Sequence, residues 1–295
     1  MKISSYPKIW AAGHAKAKTC LLGEVTVEEK LDGSQFSFRV FEGQLQCKSK
    51  NVMLEGYPTD TMFDEGIKYL MSIKDQIPEG YTFRGEYFRS PRQSAITYER
   101  IPKNHIMIYD IMRGPEDYVS HEEKSKMAAD LGFETAPVLF QGKVENYKEL
   151  DEKFLDRDSV LGGAKAEGYV VKNYARFTED GKVMMTKAVT PQFKEKASRA
   201  QKVRNPSQAD VIQSIVDELK THARWEKAVQ YVRESGQLEE APQDIPKLCR
   251  RVIEDVLEEE TDYIKELLFK WAWNRMKRQM TGGLAEWYKE KLRNG

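Results

Sequence analysis

The sequence offers little to chemistries that depend on cysteine, histidine or bulk charge. Its three cysteines, Cys20, Cys47 and Cys249, are far apart and form no CxxC pair, so neither a disulfide framework nor a thiolate zinc site is expected. Four scattered histidines add no metal-ligand spacing. No run of about 18 apolar residues occurs, which argues against a helical membrane span. The opening MKISSYPKIW has no basic region followed by an apolar run, the mark of an export signal. A soluble, cytoplasmic protein with no membrane partner is the expectation. Lys+Arg and Asp+Glu are both 47, so the formal net charge is zero and no bulk field draws in nucleic acid. Any phosphate-binding surface has to be local.

What is present suffices for two domains. At 295 residues and 40% hydrophobic content the chain can build a substantial core. As far as about residue 190, short alternating segments are cut by turn signals, as in 35–41 before Glu42-Gly43, in 81–88 and in 106–111. That pattern predicts antiparallel sheet. Helices are predicted over 61–74, where Met62, Ile67, Leu70 and Ile73 recur at helical spacing, and over 122–131 before Gly132. After Pro206 the composition changes, and 209–234, 246–259 and 261–280 carry apolar residues at helical periods between Pro and Gly breaks. The expected class is α+β: residues 1–200 form a domain of antiparallel sheets with helices, and residues 201–295 a small all-helical domain. The boundary is expected near 200–206.

The segment richest in chemistry is Glu28-Glu29-Lys30-Leu31-Asp32-Gly33-Ser34. A lysine here follows an alternating stretch, Val25 and Val27, and precedes a polar turn. At a strand end facing a pocket, desolvation would favour its neutral, nucleophilic form. Gly33 would let the backbone turn tightly beside a ligand. Taken alone, a lysine beside an Asp-Gly turn is more often simply a solvated surface residue.

Other segments extend the pattern in order along the chain. The first resembles motif I, KxDG, of the covalent nucleotidyltransferase superfamily of DNA ligases, RNA ligases and mRNA capping enzymes. Phe83-Arg84-Gly85-Glu86-Tyr87 looks like motif III and Ile108-Tyr109-Asp110-Ile111 like motif IIIa. Glu167-Gly168-Tyr169-Val170-Val171-Lys172 looks like motif IV, and Lys187 with Phe193-Lys194-Glu195-Lys196 like motif V. The resemblance implies a nucleotidyltransferase domain, an ATP-grasp-like ligase core, in which Lys30 attacks the α-phosphorus of a nucleotide to form a lysyl-NMP adduct. It implies further that Lys187 reaches the α-phosphate, that Glu86 contacts the ribose, and that Tyr109 stacks on the base. Glu29, Asp32, Gly33, Lys50 and Lys172 complete the implied nucleotide-binding set, and Glu167 is the implied metal residue. For Tyr109 ordinary core packing remains an equal alternative at this point.

Each match also makes chemical sense. Phosphoryl transfer develops charge on non-bridging oxygens, which a lysine such as Lys187 and a carboxylate-held divalent metal can stabilise. Magnesium, or manganese in its place, takes oxygen ligands and usually keeps several waters, which suits Glu167. Two departures from the family pattern stand out. Lys50 in Cys47-Lys48-Ser49-Lys50-Asn51 occupies the place of a family arginine that grips a phosphate or the ribose, keeping charge and losing the bidentate fork. Motif V reads Lys187-Ala188-Val189 without its second lysine, for which Lys194 or Lys196 is a substitute.

The helical reading after Pro206, in place of an OB-fold's short strands, resembles the branch of the T4 phage nick-sealing RNA ligase and the kinetoplastid editing ligases. That branch implies an ATP-dependent RNA ligase acting as a monomer on RNA or a nicked duplex, and it is compatible with a viral source. A minimal DNA ligase and a non-catalytic nucleic-acid-binding relative stay open beside it. Lys270, Arg275, Lys277 and Arg278, interleaved with Trp271, Trp273 and Met276, make either a phosphate-facing stripe or the solvated side of an amphipathic helix.

Overall fold

The computed structural model describes residues 2–59, 61–93, 96–190, 193 and 208–293. The strands are β1 (Ile9–Ala11), β2 (Glu24–Lys30), β3 (Ser34–Phe41), β4 (Gln44–Ser49), β5 (Met53–Leu54), β6 (Thr82–Tyr87), β7 (Ile106–Gly114), β8 (Asp117–Tyr118), β9 (Glu134–Thr135), β10 (Val138–Lys143), β11 (Gly168–Phe177) and β12 (Val183–Val189). The helices are α1 (Asp64–Ser72), α2 (His121–Asp130), α3 (Tyr147–Phe154), α4 (Gln208–Leu219), α5 (His222–Glu234), α6 (Ile245–Met280) and α7 (Leu284–Arg293). The class is α+β, as expected.

The chain divides into two compact units, Met1–Lys194 with Val229–Ala241, and Glu195–Ala228 with Pro242–Gly295. In the first, five strands form a sheet in the order β1-β12-β11-β2-β10, antiparallel except for β1 beside β12. Seven strands form the other, β5-β4-β3-β6-β7-β8, with β9 parallel to β7. Each sheet is apolar on one face and polar on the other, because side chains alternate along a strand. Val25 and Val27 of β2 pack with Tyr169 and Val171 of β11 under Leu150 of α3. Phe36 and Phe38 of β3 stack with Phe63 and Phe83 under Ile67 and Leu70 of α1. The polar faces meet: Lys172 on β11 and Asp110 on β7 pair at 2.9 Å.

Local chemistry sets the element ends. Glu42 and Gly43 both take positive φ, 51° and 67°, the hairpin geometry that matches strand twist between β3 and β4. Ser120 caps α2 by accepting from Glu123 N at 3.1 Å. Gly132, at φ 76°, closes the other end with paired bonds, Gly132 N to Ala129 O and Phe133 N to Ala128 O.

The helical unit differs from the periodicity reading in two places. The stretch 209–234 is two helices, broken at Lys220-Thr221, where Thr221 Oγ1 accepts from Arg224 N at 3.3 Å and caps the second. The stretches 246–259 and 261–280 are one 36-residue helix, α6, since neither Pro nor Gly separates them. Buried Arg224 explains why polar residues sit there: it pairs with Asp255 and, at 3.0 Å, with Glu260 of α6. On α6 Trp273 and Met276 are exposed, and the Arg275 guanidinium lies 4.9 Å from the Trp271 ring centroid. The 200–206 boundary, Lys194 and Lys196 lie outside the described residues. No helix among the described residues is long and apolar enough to cross a membrane.

Candidate functional site

The site is built on the polar face of the five-stranded sheet. Lys30 faces Gly168 in the β2–β11 register, and Glu28, Val170 and Lys187 form the adjoining row across β2, β11 and β12. Alternation therefore puts Lys30, Glu28, Lys172 and Lys187 on one face of that sheet. At the end of β2, Lys30 Nζ lies 2.6 Å from Glu167 Oε2, with side chains 21% and 10% exposed, so the pair is covered yet reachable. Burial pulls the Lys30 ammonium toward neutrality, but Glu167 first, then Glu86 and Asp32, overcome it and hold the group above its ordinary pKa. The expectation of a desolvated, neutral lysine is thus corrected: the neighbouring acidic groups, Glu167 foremost, outweigh the desolvation.

Gly33 owes its place to close approach. A Cβ there would stand 2.8 Å from both Tyr87 O and Glu86 Cγ. This contact brings β6 against the Lys30 turn, and Tyr98 OH receives the Asp32 amide at 2.9 Å on the same turn. Glu86 is half-buried, its carboxyl pushed up to about 8 by burial, with Lys30 pulling down and Glu167, Glu234 and Asp32 pushing up. Gln230 and Glu234, on the part of α5 that belongs to this unit, close the same corner. Gln230 Nε2 donates to Gly33 O at 2.5 Å and to Ser34 Oγ at 3.1 Å. Glu234 is buried and its carboxyl pushed up to about 7 by burial, against Ser34, Gln230 and the charge of Lys50. Lys50, exposed just past β4, thus acts electrostatically on this corner.

Deeper between the sheets lies a charge network. Glu28 accepts from Lys124 at 2.5 Å and from Lys172 at 2.7 Å, and Lys172 also reaches Asp110 at 2.9 Å; all four are buried. Both lysines also donate to Tyr109 O. The half-buried Tyr109 ring meets Tyr6 edge-on at 5.1 Å and has Lys172 Nζ 5.3 Å from its centroid. Lys172 stays above its usual pKa because Asp110 and Glu28 outweigh the burial that would lower it. A cavity of about 370 Å³ opens beside this network, lined by Glu28, Asp110, His121 and Lys124 among others, and not by Lys30 or Glu167.

Of the residues singled out in the sequence, Lys30, Asp32, Gly33, Glu86 and Glu167 come together, with Lys50 acting on the corner through Glu234. Lys187 shares the Lys30 face and is half-buried, while Lys172 and Tyr109 belong to the deeper network. Glu29 points to the opposite face, where its carboxylate is held by Arg157 at 2.9 Å, Ser159 Oγ at 2.6 Å and Val160 N. Sequence reasoning missed Asp110, Lys124, Gln230 and Glu234. Asp110 lies inside the Ile108–Ile111 stretch, but nothing in the others' neighbourhoods marks them as site residues. Among the described residues no group of three or more His, Cys, Asp or Glu is gathered tightly enough to hold a metal by itself.

Solved structures of a Naegleria gruberi RNA ligase resemble the chain. The form with PPi is 17% identical, with a TM-score of 0.48 over 64% of this chain and 56% of that one. A mutant of the same ligase with ATP and Mn is 15% identical, with a TM-score of 0.47 over 63% and 56%. A further mutant, with AMP and Mn, is 16% identical, with a TM-score of 0.47 over 64% and 56%. The chain thus spans little more than half the length of those ligases. No curated protein sequence matches it. The sequence profile described as RNA ligase matches residues 23–189, more than half of the chain, from the strand that carries Lys30 to the end of the strand that carries Lys187. The chain belongs to the RNA ligase family.

Proposed function

We propose that the protein is an ATP-dependent RNA ligase that seals 5′-phosphate and 3′-hydroxyl ends, acting as a monomer. The observation that carries this reading is Lys30 at the end of β2, paired with Glu167 and ringed by Glu86 and Asp32, inside the segment that matches the family. The groups that act on Lys30, namely Glu167, Glu86 and Asp32, offer oxygen, which suits a hard divalent cation that keeps most of its waters. Magnesium or manganese would be held by Glu167, with Glu86 and Asp32 alongside, and would supply charge stabilisation to phosphate oxygens.

The reaction runs in three transfers. The Lys30 amine, having given up its proton, bonds to the α-phosphorus of ATP as the α–β anhydride bond breaks and pyrophosphate leaves. Glu167 Oε2, at 2.6 Å, is the nearest acceptor for that proton. An oxygen of the RNA 5′-phosphate then attacks the same phosphorus, breaking the P–N bond and leaving AMP on the RNA end. Finally the 3′-hydroxyl attacks the RNA 5′-phosphorus and AMP departs. Lys187 faces the α-phosphate from the neighbouring row, Lys50 meets the outer phosphates, Glu86 the ribose, and Tyr109 offers its ring to the base, backed by Lys172. Asp32 and Gly33 shape the turn that lets the nucleotide approach, and Glu29 fixes β2 from behind.

The test is incubation of pure protein with α-labelled ATP or GTP and magnesium, followed by denaturing electrophoresis and intact mass. An AMP adduct formed from ATP and lost in Lys30→Ala supports the reading. No adduct from either nucleotide leaves a non-catalytic nucleic-acid-binding relative. RNA and DNA 3′-hydroxyl strands at the same nick then separate RNA from DNA ligation, since the 2′-hydroxyl is what the protein can sense.

A further inference from the structure

Two cations outside that set are buried on the polar face of the seven-stranded sheet without an ion pair to a carboxylate among the described residues. Arg84 on β6 is 1% exposed and Lys48 on β4 is 8% exposed. Register places both beside Ser37 of β3, in one row across three strands. Their hydrogen-bond partners are all neutral. Arg84 Nη1 donates to Ser4 O at 2.9 Å and Ser37 Oγ at 3.0 Å, Nη2 donates to Ser4 Oγ at 3.0 Å, and Lys48 Nζ donates to Ser5 Oγ at 3.1 Å. Arg84 Nε is buried and has no acceptor among the described residues. Asp110, which faces Arg84 in the β6–β7 register, spends its oxygens on Lys172, Tyr174 and Tyr6. Burial and then the charge of Arg84 lower the pKa of both Lys48 and Arg39, so positive charge crowds here.

Buried charges are ordinarily paired, and an unpaired guanidinium with a free N–H is the exception to explain. The acceptors that cover the pair supply the explanation. Two oxygens of Ser4 meet the two arms of the Arg84 fork and one oxygen of Ser5 meets Lys48, the pattern in which a guanidinium and an ammonium share one tetrahedral oxyanion. We propose that Arg84, Lys48 and Ser37 form a subsite for a phosphoryl oxyanion, over which Ser4 and Ser5 lie as a displaceable cover. Arg84 is two residues from Glu86 on the same face, roughly 7 Å along the strand, so the subsite adjoins the Lys30 corner. Pyrophosphate and the 5′-phosphate of an RNA end present the same oxygens. The subsite stands on anion binding alone and does not require adduct formation at Lys30.

Calorimetry on the full chain tests it, with inorganic pyrophosphate and with one RNA oligonucleotide in 5′-phosphate and 5′-hydroxyl forms. Wild type is compared with Lys48→Gln, Arg84→Lys and Lys30→Ala, and hydrogen exchange of residues 2–8 is followed on binding. The subsite predicts at least a tenfold affinity loss in both Lys48→Gln and Arg84→Lys, retention in Lys30→Ala, and faster exchange in 2–8 as the cover lifts. Dependence seen with pyrophosphate assigns the site to released or nucleotide phosphates; dependence seen only with the 5′-phosphate oligonucleotide assigns it to the RNA end. Should Arg84→Lys fail to fold, Lys48→Gln decides. Equal affinity in wild type and Lys48→Gln, loss confined to Lys30→Ala, or no anion binding by wild type overturns the proposal. A missing AMP adduct with anion binding intact would overturn the ligase reading and leave the subsite standing.

Discussion

Lys30 and Glu167 face each other at 2.6 Å across the β2–β11 edge, and the carboxylate is the strongest influence keeping the lysine protonated against its own burial. In the proposed reaction the resting pair would therefore be a locked nucleophile, charged until the carboxylate's hold is relaxed.

Replacing Glu167 by Gln removes that hold. Lys30 then titrates at lower pH, and its labelling by an amine-reactive reagent at pH 8 becomes faster than in wild type. Adduct formation from ATP falls all the same, by roughly 100-fold, the scale of losing one preorganised electrostatic contact. Unchanged labelling in Glu167→Gln would show that the pair does not govern the lysine's charge.

Gly33→Ala places a methyl group 2.8 Å from the Tyr87 carbonyl, which is backbone and cannot swing aside. The turn must shift, at a cost of about 1–3 kcal/mol in urea unfolding. Adduct formation should fall with it, since the same shift moves Lys30 from Glu167.

Lys172→Met leaves Glu28 and Asp110 buried with one cation fewer between them. Breaking a buried pair in this way costs about 3–5 kcal/mol, a clear drop in the denaturation midpoint. A loss below about 1 kcal/mol, the range of exposed pairs, would mean that Lys124 alone neutralises the network.

Glu86 and Glu234 carry carboxyls pushed up to about 8 and about 7, burial being the leading cause in each. In the unfolded chain both ionise near the ordinary value of about 4.3. Their protonated forms thus stabilise the fold fully below that value, and the contribution is lost as pH rises through 7 to 8. The thermal midpoint of the ligand-free protein should fall between pH 5.5 and 8.5, and Glu234→Gln should flatten the slope. A midpoint that rises over this interval contradicts the assignment.

Much of this arrangement is legible in the sequence because it is local. Alternation in 35–41 and 106–111 marks β3 and β7, and the order of the motif segments groups Lys30, Glu86 and Glu167 into one set. The unread part is long-range. Lys124 lies in a helix whose pattern speaks only of amphipathicity, yet its ammonium crosses to Glu28 on another sheet. Gln230 is nearly 200 residues from Gly33, and no periodicity in α5 announces that contact. The raised pKa of Lys30 is hidden for the same reason: its burial can be inferred, but the acidic groups that β6, the entry to β11 and the following turn bring beside it cannot.

Three consecutive side chains at the end of β2 are each fastened to something different. Glu28 is clamped to α2 and β11, Glu29 to the 157–160 loop, and Lys30 to the residue that precedes β11. Only the last of these ties would have to open in the proposed reaction. A nucleotide joined to Lys30 would consequently ride on a strand anchored from both faces, like a workpiece in a vise, and in the proposed reaction the parts that travel between successive transfers would be the nucleic-acid ends brought to it.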